Sequence, residues 1–215
     1  MIMINYLFEY DEFGNVAKYI GTDSENVFPT NCRQVGSNNH FNNDFTKLKK
    51  ARIPEGTEVI GYRAFANCVN LEYIQLPSSL RYIDSSAFIG CTNLKEIVIP
   101  ENIKFIAEAT FDTCKSLEKV VLPEGLVHIE AFAFAGCSNL KEINLPESLY
   151  RIEDNAFAGC ESLEEVNLPQ NILCLGDSVF SDCVSLKCVT MPRRIPVEGH
   201  GIFEGTKLNA FHFNL

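Results

Sequence analysis

The sequence predicts an α/β repeat solenoid. Three features carry that reading: a 23-residue period that never slips, apolar spacings that suit a short strand and a return, and two ends that break the pattern. Written from Leu48 in lines of 23, the chain aligns with itself. Leu recurs from Leu48 to Leu186, Pro from Pro54 to Pro192 and Phe from Phe65 to Phe203. Cys fills a fourth column at Cys68, Cys91, Cys114, Cys137, Cys160 and Cys183, with Thr206 in the seventh slot. A fixed period of about 20–50 residues marks stacked repeats. One unit cannot bury its apolar side alone, so neighbours stack and share a continuous core.

Each part of the unit has a physical reason, and the line Leu140–Ser162 is typical. Leu140, Ile143 and Leu145 suit a short strand with side chains alternating in and out. Pro146 ends it, because proline has no N–H for a ladder. Leu149 and Ile152 form an apolar pair on the return. Asn155-Ala156-Phe157-Ala158-Gly159-Cys160 then suits one helical turn closed by glycine.

The ends differ, as solenoid ends must, since a cap needs a polar outer face. Residues 1–47 read as an N-terminal cap. Residues 4–22 suit a β-hairpin turning at Asp11–Asn15, and 23–47 a worn repeat. In that repeat Val27-Phe28-Pro29 echoes the strand and Phe41 the ring column, one residue out of register with Phe65. Residues 48–215 hold seven repeats and a short terminal strand from Leu208, with Phe213 where proline is expected.

The pattern L-x-x-I-x-L-P, then L-x-x-I, then A-F-x-x-C-x-x-L, as in Leu140 to Leu163, resembles the BspA-type (Treponema-type) leucine-rich repeat. The resemblance covers about residues 48–207. It implies a right-handed, curved leucine-rich-repeat solenoid with a parallel sheet on the concave face. It also implies a role in binding macromolecules, often in surface or host-contact proteins of microbes. The family signature carries no catalytic residues.

Composition bounds the function. Of 215 residues, 46% are apolar and 21% charged, which suits a globular chain. No apolar run approaches the roughly 18 residues of a membrane span. A net charge of −10 argues against direct contact with nucleic acid, whose phosphates need clustered Lys and Arg. No secretory signal opens the sequence, so a cytoplasmic location is expected as written, and a surface or secreted one if an export signal was trimmed.

In a solenoid, function sits in the columns that face water. The second position of each line reads Lys49, Glu72, Lys95, Glu118, Lys141, Glu164, Lys187, alternating in sign without exception. Such a ladder suits register and solubility. On the concave face Tyr73, Val98 and Val121 form a small apolar patch bordered by Arg52, Gln75 and Lys119. On the return, Tyr82, Phe105, His128 and Arg151 share one column, and Val127, Tyr150 and Leu173 the next. Aromatics mixed with Arg and His match the composition of binding hot spots. Against both readings, β-branched residues simply suit strands, and long cationic stems cover rings. The sequence does not choose between the faces.

Hidden chemistry finds little support. The Cys column should be buried as free thiols, because its Cβ vectors run parallel instead of facing one another. Cys174, Cys183 and Cys188 fall on three different parts of the unit, so they do not converge as zinc ligands. No phosphate loop or nucleophile elbow occurs. The Glu after Pro (Glu55, Glu101, Glu124, Glu147) is turn chemistry. A catalytic pair needs geometry that breaks the repeat, and no insertion provides it. The expectation is a monomeric, non-catalytic protein-binding module with no cofactor and no metal. Its alternatives are an intracellular acidic inhibitor of a basic, nucleic-acid-binding protein, a surface adhesion module, and a structural or self-assembling unit.

Overall fold

In every repeat one apolar residue at the middle of the concave strand line turns inward, and its two neighbours turn outward. The computed structural model describes residues 8–11, 14–19, 25–30, 32–36, 44–195, 197–208 and 210–213. It is a parallel-strand β-solenoid of about seven turns, each of about 23 residues. Strands β1 (Phe8–Tyr10) and β2 (Val16–Tyr19) pair antiparallel. Each coil then gives one strand to the concave sheet and one to the return sheet. These are β3 (Glu25–Val27) and β4 (Gln34–Val35), then β5 (Lys50–Arg52) and β6 (Val59–Ile60). Next come β7 (Tyr73–Gln75) and β8 (Tyr82–Ile83), β9 (Glu96–Val98) and β10 (Phe105–Ile106), and β11 (Lys119–Val121) and β12 (His128–Ile129). The coil from Leu140 gives only β13 (Arg151–Ile152). The series closes with β14 (Glu165–Asn167), β15 (Cys174–Leu175), β16 (Cys188–Met191), β17 (Val197–Glu198) and β18 (Ala210–Phe213).

Concave strands read exposed–buried–exposed, so Ile74, Ile97, Val120 and Val166 enter the core while their neighbours face water. Return strands bury their second residue, Ile60 to Leu175. Leu, Phe and Cys of each repeat complete one continuous apolar interior.

The third side is not helical. Among the described residues there is no helix, and the expected helical turn is a run of bends. Its bonds reach three residues back, as from Ala64 N–H to the Gly61 carbonyl and from Cys68 N–H to that of Phe65, both 3.1 Å. The reason is backbone handedness. Arg63, Ser86, Ala109, Phe132, Asn155 and Ser178 all hold φ between 52° and 58°, and a second such column runs from Asn67 to Gly205. A left-handed residue every few positions stops a right-handed helix from propagating. Between these positions three N–H groups per coil donate to carbonyls of the next coil. Phe65 to Ala87 is 2.8 Å and Phe88 to Thr110 is 2.9 Å.

This turn side forms a spine. From Phe65 to Phe180 the rings stack with centroids 5.2–5.4 Å apart and planes within 11°, and Phe203 extends the stack at 5.7 Å. Offset stacks of this kind contribute about 0.5–1.5 kcal/mol each beyond area. Beside them the thiols of Cys91, Cys114, Cys137, Cys160 and Cys183 each donate to a Phe carbonyl of the preceding coil, as Cys137 does to Phe111 at 3.2 Å. All nine Cys are free thiols. Towards the N-terminus the rings tilt: Phe8–Phe28, Phe28–Phe45 and Phe45–Phe65 lie at 41°, 58° and 35°. Phe41 lies outside the described residues, and Phe45 packs against Phe65 at 5.0 Å.

The sheets are less continuous than the spine. The concave sheet comprises β3-β5-β7-β9-β11 and β14-β16-β18, and the return sheet also falls into two parts. The junction between the coils of Leu71 and Leu94 is open on both faces. There β7 and β9 keep a single facing pair, Tyr73 and Glu96, and β8 does not pair with β10. At some junctions the residue after a concave strand donates to the next coil: Ile53 to Gln75 at 3.0 Å, Ile99 to Val121 at 2.9 Å, Leu168 to Thr190 at 2.8 Å. Among the described residues the matching bonds from Leu76 to Val98, Leu122 to Asn144 and Leu145 to Asn167 are absent.

Candidate interaction surfaces

Concavity and exposed apolar groups coincide on the concave face. Tyr73, Val98 and Val121 are 40%, 60% and 40% exposed, the side-chain alternation of a strand placing them outward. Val98 and Val121 face each other across β9 and β11. Tyr73 and Val98 line one cavity of about 600 Å³, with Gln75, Leu76, Glu96, Ile99 and Glu101. Val121 lines a second, of about 210 Å³, with Glu124, Glu142 and Asn144. A third, of about 400 Å³, joins Tyr73 to Lys50, Lys95 and Lys119. The expected patch is therefore spread over adjoining hollows. The first lies over the junction where the ladder is open.

The charge ladder is mostly unpaired. Among the described residues its one ion pair is Lys187 Nζ to Glu164 Oε2, at 3.3 Å between exposed groups. Such pairs are worth little.

On the return face the register sets Phe105, His128, Arg151 and Cys174 side by side. The rings of Tyr82 and Phe105 meet edge to face at 6.2 Å. His128 Nε2 and Arg151 Nε both reach Glu153 Oε1, at 3.0 and 3.2 Å. Tyr82, Phe105 and Tyr150 are 37%, 39% and 42% exposed. The polar members of this column are thus engaged with the solenoid itself, while its rings face water.

Carboxylates divide in the same way. Those on the return and turn side brace a neighbouring coil: Asp154 accepts the N–H of Asp177 in the next coil at 2.8 Å, Asp177 that of His200 at 2.7 Å, and Glu130 Oε2 that of Glu108 in the preceding coil at 3.0 Å. The His200 N–H holds the Asp177 carboxyl below its ordinary value. In the column after Pro, Glu55 accepts N–H groups of Ser78 and Ser79 at 2.9 and 3.1 Å, which lowers its pKa, and Glu147 accepts that of Gln170 at 3.1 Å. Glu101 and Glu124 make no such bond, and neither do Glu96 and Glu142 on the floor beside them.

Sequence reasoning overlooked Phe132. It is 42% exposed and holds φ 58°, in a column of smaller or polar residues. Its departure from that column was the available signal. A bulky side chain in the left-handed region is a costly placement.

Among the described residues no group of three or more His, Cys, Asp or Glu is placed to hold a metal ion, and no helix is long and apolar enough to cross a membrane. Burial pushes the thiols of Cys91 and Cys114 well away from reactivity.

The repeat geometry has direct counterparts. The BspA type leucine-rich repeat region matches residues 23–124 and 104–215, in six copies. The chain belongs to the BspA-type leucine-rich repeat family. This BspA-type chain is similar to a leucine-rich repeat protein of T. pallidum, with 27% identity, a TM-score of 0.69, and 93% of this chain and 86% of the other covered. It is also similar to a leucine-rich repeat protein from Bacteroides ovatus, with 27% identity and a TM-score of 0.64. That match covers 85% of this chain but only 52% of the other, so the BspA-type chain spans about half of that relative. A leucine rich cell surface protein from Faecalibacterium prausnitzii, 23% identical with a TM-score of 0.62 over 96% of this chain and 74% of its own, shares the fold. No curated protein matches the sequence.

Proposed function

We propose that this BspA-type chain is a non-catalytic protein-binding module that engages its partner through the concave face. The observation that carries this is the row of hollows from Tyr73 to Pro146, whose walls hold exposed apolar side chains and unpaired carboxylates together. A rigid frame keeps these groups in place before contact, which limits the ordering cost of association. The regular course of each coil also supports a role without catalysis.

The return face is the second reading, favoured by the exposed rings of Tyr82, Phe105 and Tyr150. Affinity capture from a lysate of the source organism separates the two. A Tyr73→Ala/Val98→Ala/Val121→Ala bait should lose a partner that the wild type holds, while Tyr82→Ala/Phe105→Ala/Arg151→Ala keeps it. The reverse result moves the site to the return sheet. Loss with neither triple excludes both faces.

A further inference from the structure

The geometry points to the gap between β7 and β9 as a docking site for a cationic side chain, Arg or Lys, on an extended segment of a protein partner. This rests on the concave-face reading above and names the chemistry of the partner.

Three observations converge on the gap. First, it is roomy and largely apolar: about 600 Å³, floored by Ile74, Leu76, Val98 and Ile99 and edged by the Tyr73 ring. The aliphatic stem of Arg or Lys suits such a floor, and an aromatic face attracts its charged head. Second, its charge has one sign. The lining holds Glu96 and Glu101 and no Lys, Arg or His; Glu96 also borders the adjoining hollow, where Lys50, Lys95 and Lys119 meet Glu72 and Glu118, while Glu101 belongs to the gap. Neither Glu96 nor Glu101 spends its carboxylate within the solenoid. Glu55, one column-mate of Glu101, binds backbone N–H groups of the next coil. Third, the ladder bond missing between Leu76 and Val98 leaves the Val98 carbonyl without the donor that Gln75, Val121 and Thr190 receive; among the described residues Asn144 and Asn167 lack it too, but Val98 and Leu76 line the largest of the three hollows described above. An Arg or Lys head brings N–H donors and no acceptor, which is the complement of two carboxylates and a carbonyl.

The charge complement distinguishes this occupant from a neutral glycan, an acidic peptide or a second copy of the chain bound through its apolar groups. An extended segment fits because hollows recur along the face, so alternate side chains of one strand can face the wall.

The probe is a fluorescein-labelled peptide, Val-Arg-Val-Arg-Val-Arg-Val, titrated into the full chain by fluorescence anisotropy. Its comparison carries neutral citrulline at each Arg, and a third peptide carries Glu. The Arg peptide should bind about tenfold or more tighter than the citrulline peptide, and the Glu peptide should bind weakest. Glu96→Gln/Glu101→Gln should remove about fivefold or more of that preference, while the exposed Glu161→Gln on the turn side leaves it unchanged. Circular dichroism verifies that each variant keeps its fold. Equal binding of Arg and citrulline peptides, no binding up to about 1 mM, or equal losses from both sets of Glu variants overturns the proposal. Val98→Lys separates this failure from that of the concave reading. If it abolishes binding of every peptide while Glu96→Gln/Glu101→Gln has no effect, the face stands and the cationic occupant falls. If it changes nothing, both fall.

Discussion

The turn spine and the concave sheet are built from the same repeats, yet they obey different rules. In the spine every ring from Phe65 to Phe180 is fully buried and every plane nearly parallel to the next. In the concave sheet the backbone repeats but the outward residues change from coil to coil, and the ladder opens at Leu76. The difference lies in what each side chain touches. A spine residue is enclosed by the coils above and below, so any change of volume is felt twice. A concave residue meets its neighbours at the edge and water above, so many side chains fit. Identity is enforced where water is absent, and variety collects where it is present.

The largest effect should come from pH. Burial pushes the thiols of Cys32, Cys68, Cys91, Cys114 and Cys137 above their ordinary value of 9.0, that of Cys32 to about 11. The folded chain then keeps protons that the unfolded chain gives up. Stability is intact below 9.0 and is lost as pH climbs from there towards the folded values. Each such thiol costs about 1.4 kcal/mol per pH unit in that window. Urea unfolding followed by circular dichroism should show a flat plateau near neutrality and a steep alkaline fall. Cys137→Ala should make that fall shallower. A gentle fall would mean that the spine admits water.

Phe134→Ala comes next. It empties a fully buried slot in the middle of the stack and should cost about 3–5 kcal/mol in urea unfolding. Phe132→Gly, two residues away, should move the other way. It relieves a left-handed penalty of about 1–2 kcal/mol on a residue whose ring faces water; glycine's extra freedom when unfolded offsets about 0.5–1 kcal/mol of that, so a small net gain is expected. If both destabilise equally, the contrast between enclosed and open positions is lost.

On the concave face Val98→Thr should change stability by less than about 0.5 kcal/mol, because Val98 is already exposed. The smallest effect belongs to Asp112. Burial raises its carboxyl above the ordinary 3.8, so its charge is a burden to the folded chain at neutral pH and that burden lifts as pH falls. Asp112→Asn should raise Tm slightly at pH 7, water screening much of the gain, and the difference should vanish below pH 3.8.

How much of this was legible follows from the same division. Leu, Phe, Cys and the inward strand residues lie in the core in the periodic columns that the sequence displays. The bends were not legible as bends. Asn155-Ala156-Phe157-Ala158 favours helix by composition, and only the backbone reveals φ 56° at Asn155. The gap was not legible at all. Tyr73-Ile74-Gln75-Leu76 and Glu96-Ile97-Val98-Ile99 read as ordinary strand lines, and the opening lies between coils, where one line carries no signal. Tyr73 and Val98 could be named as exposed from alternation alone. That Glu101 stays unpaired while Glu55 does not depends on the next coil, since Ser78 and Ser79 face Glu55.

The spine also gives the molecule a polarity. In the two sheets backbone bonds run both ways: Phe28 donates forward to Arg52, and Glu72 donates back to Lys49. In the bends, Phe65, Phe88, Phe111, Phe134 and Phe157 all donate forward, and so do their partners on either side. Their peptide dipoles therefore align along the axis in three parallel files, with the positive pole towards the C-terminal coil. Aligned peptide dipoles add as they do in a helix. A charged group at one end of these files therefore meets a field opposite in sign to that at the other end.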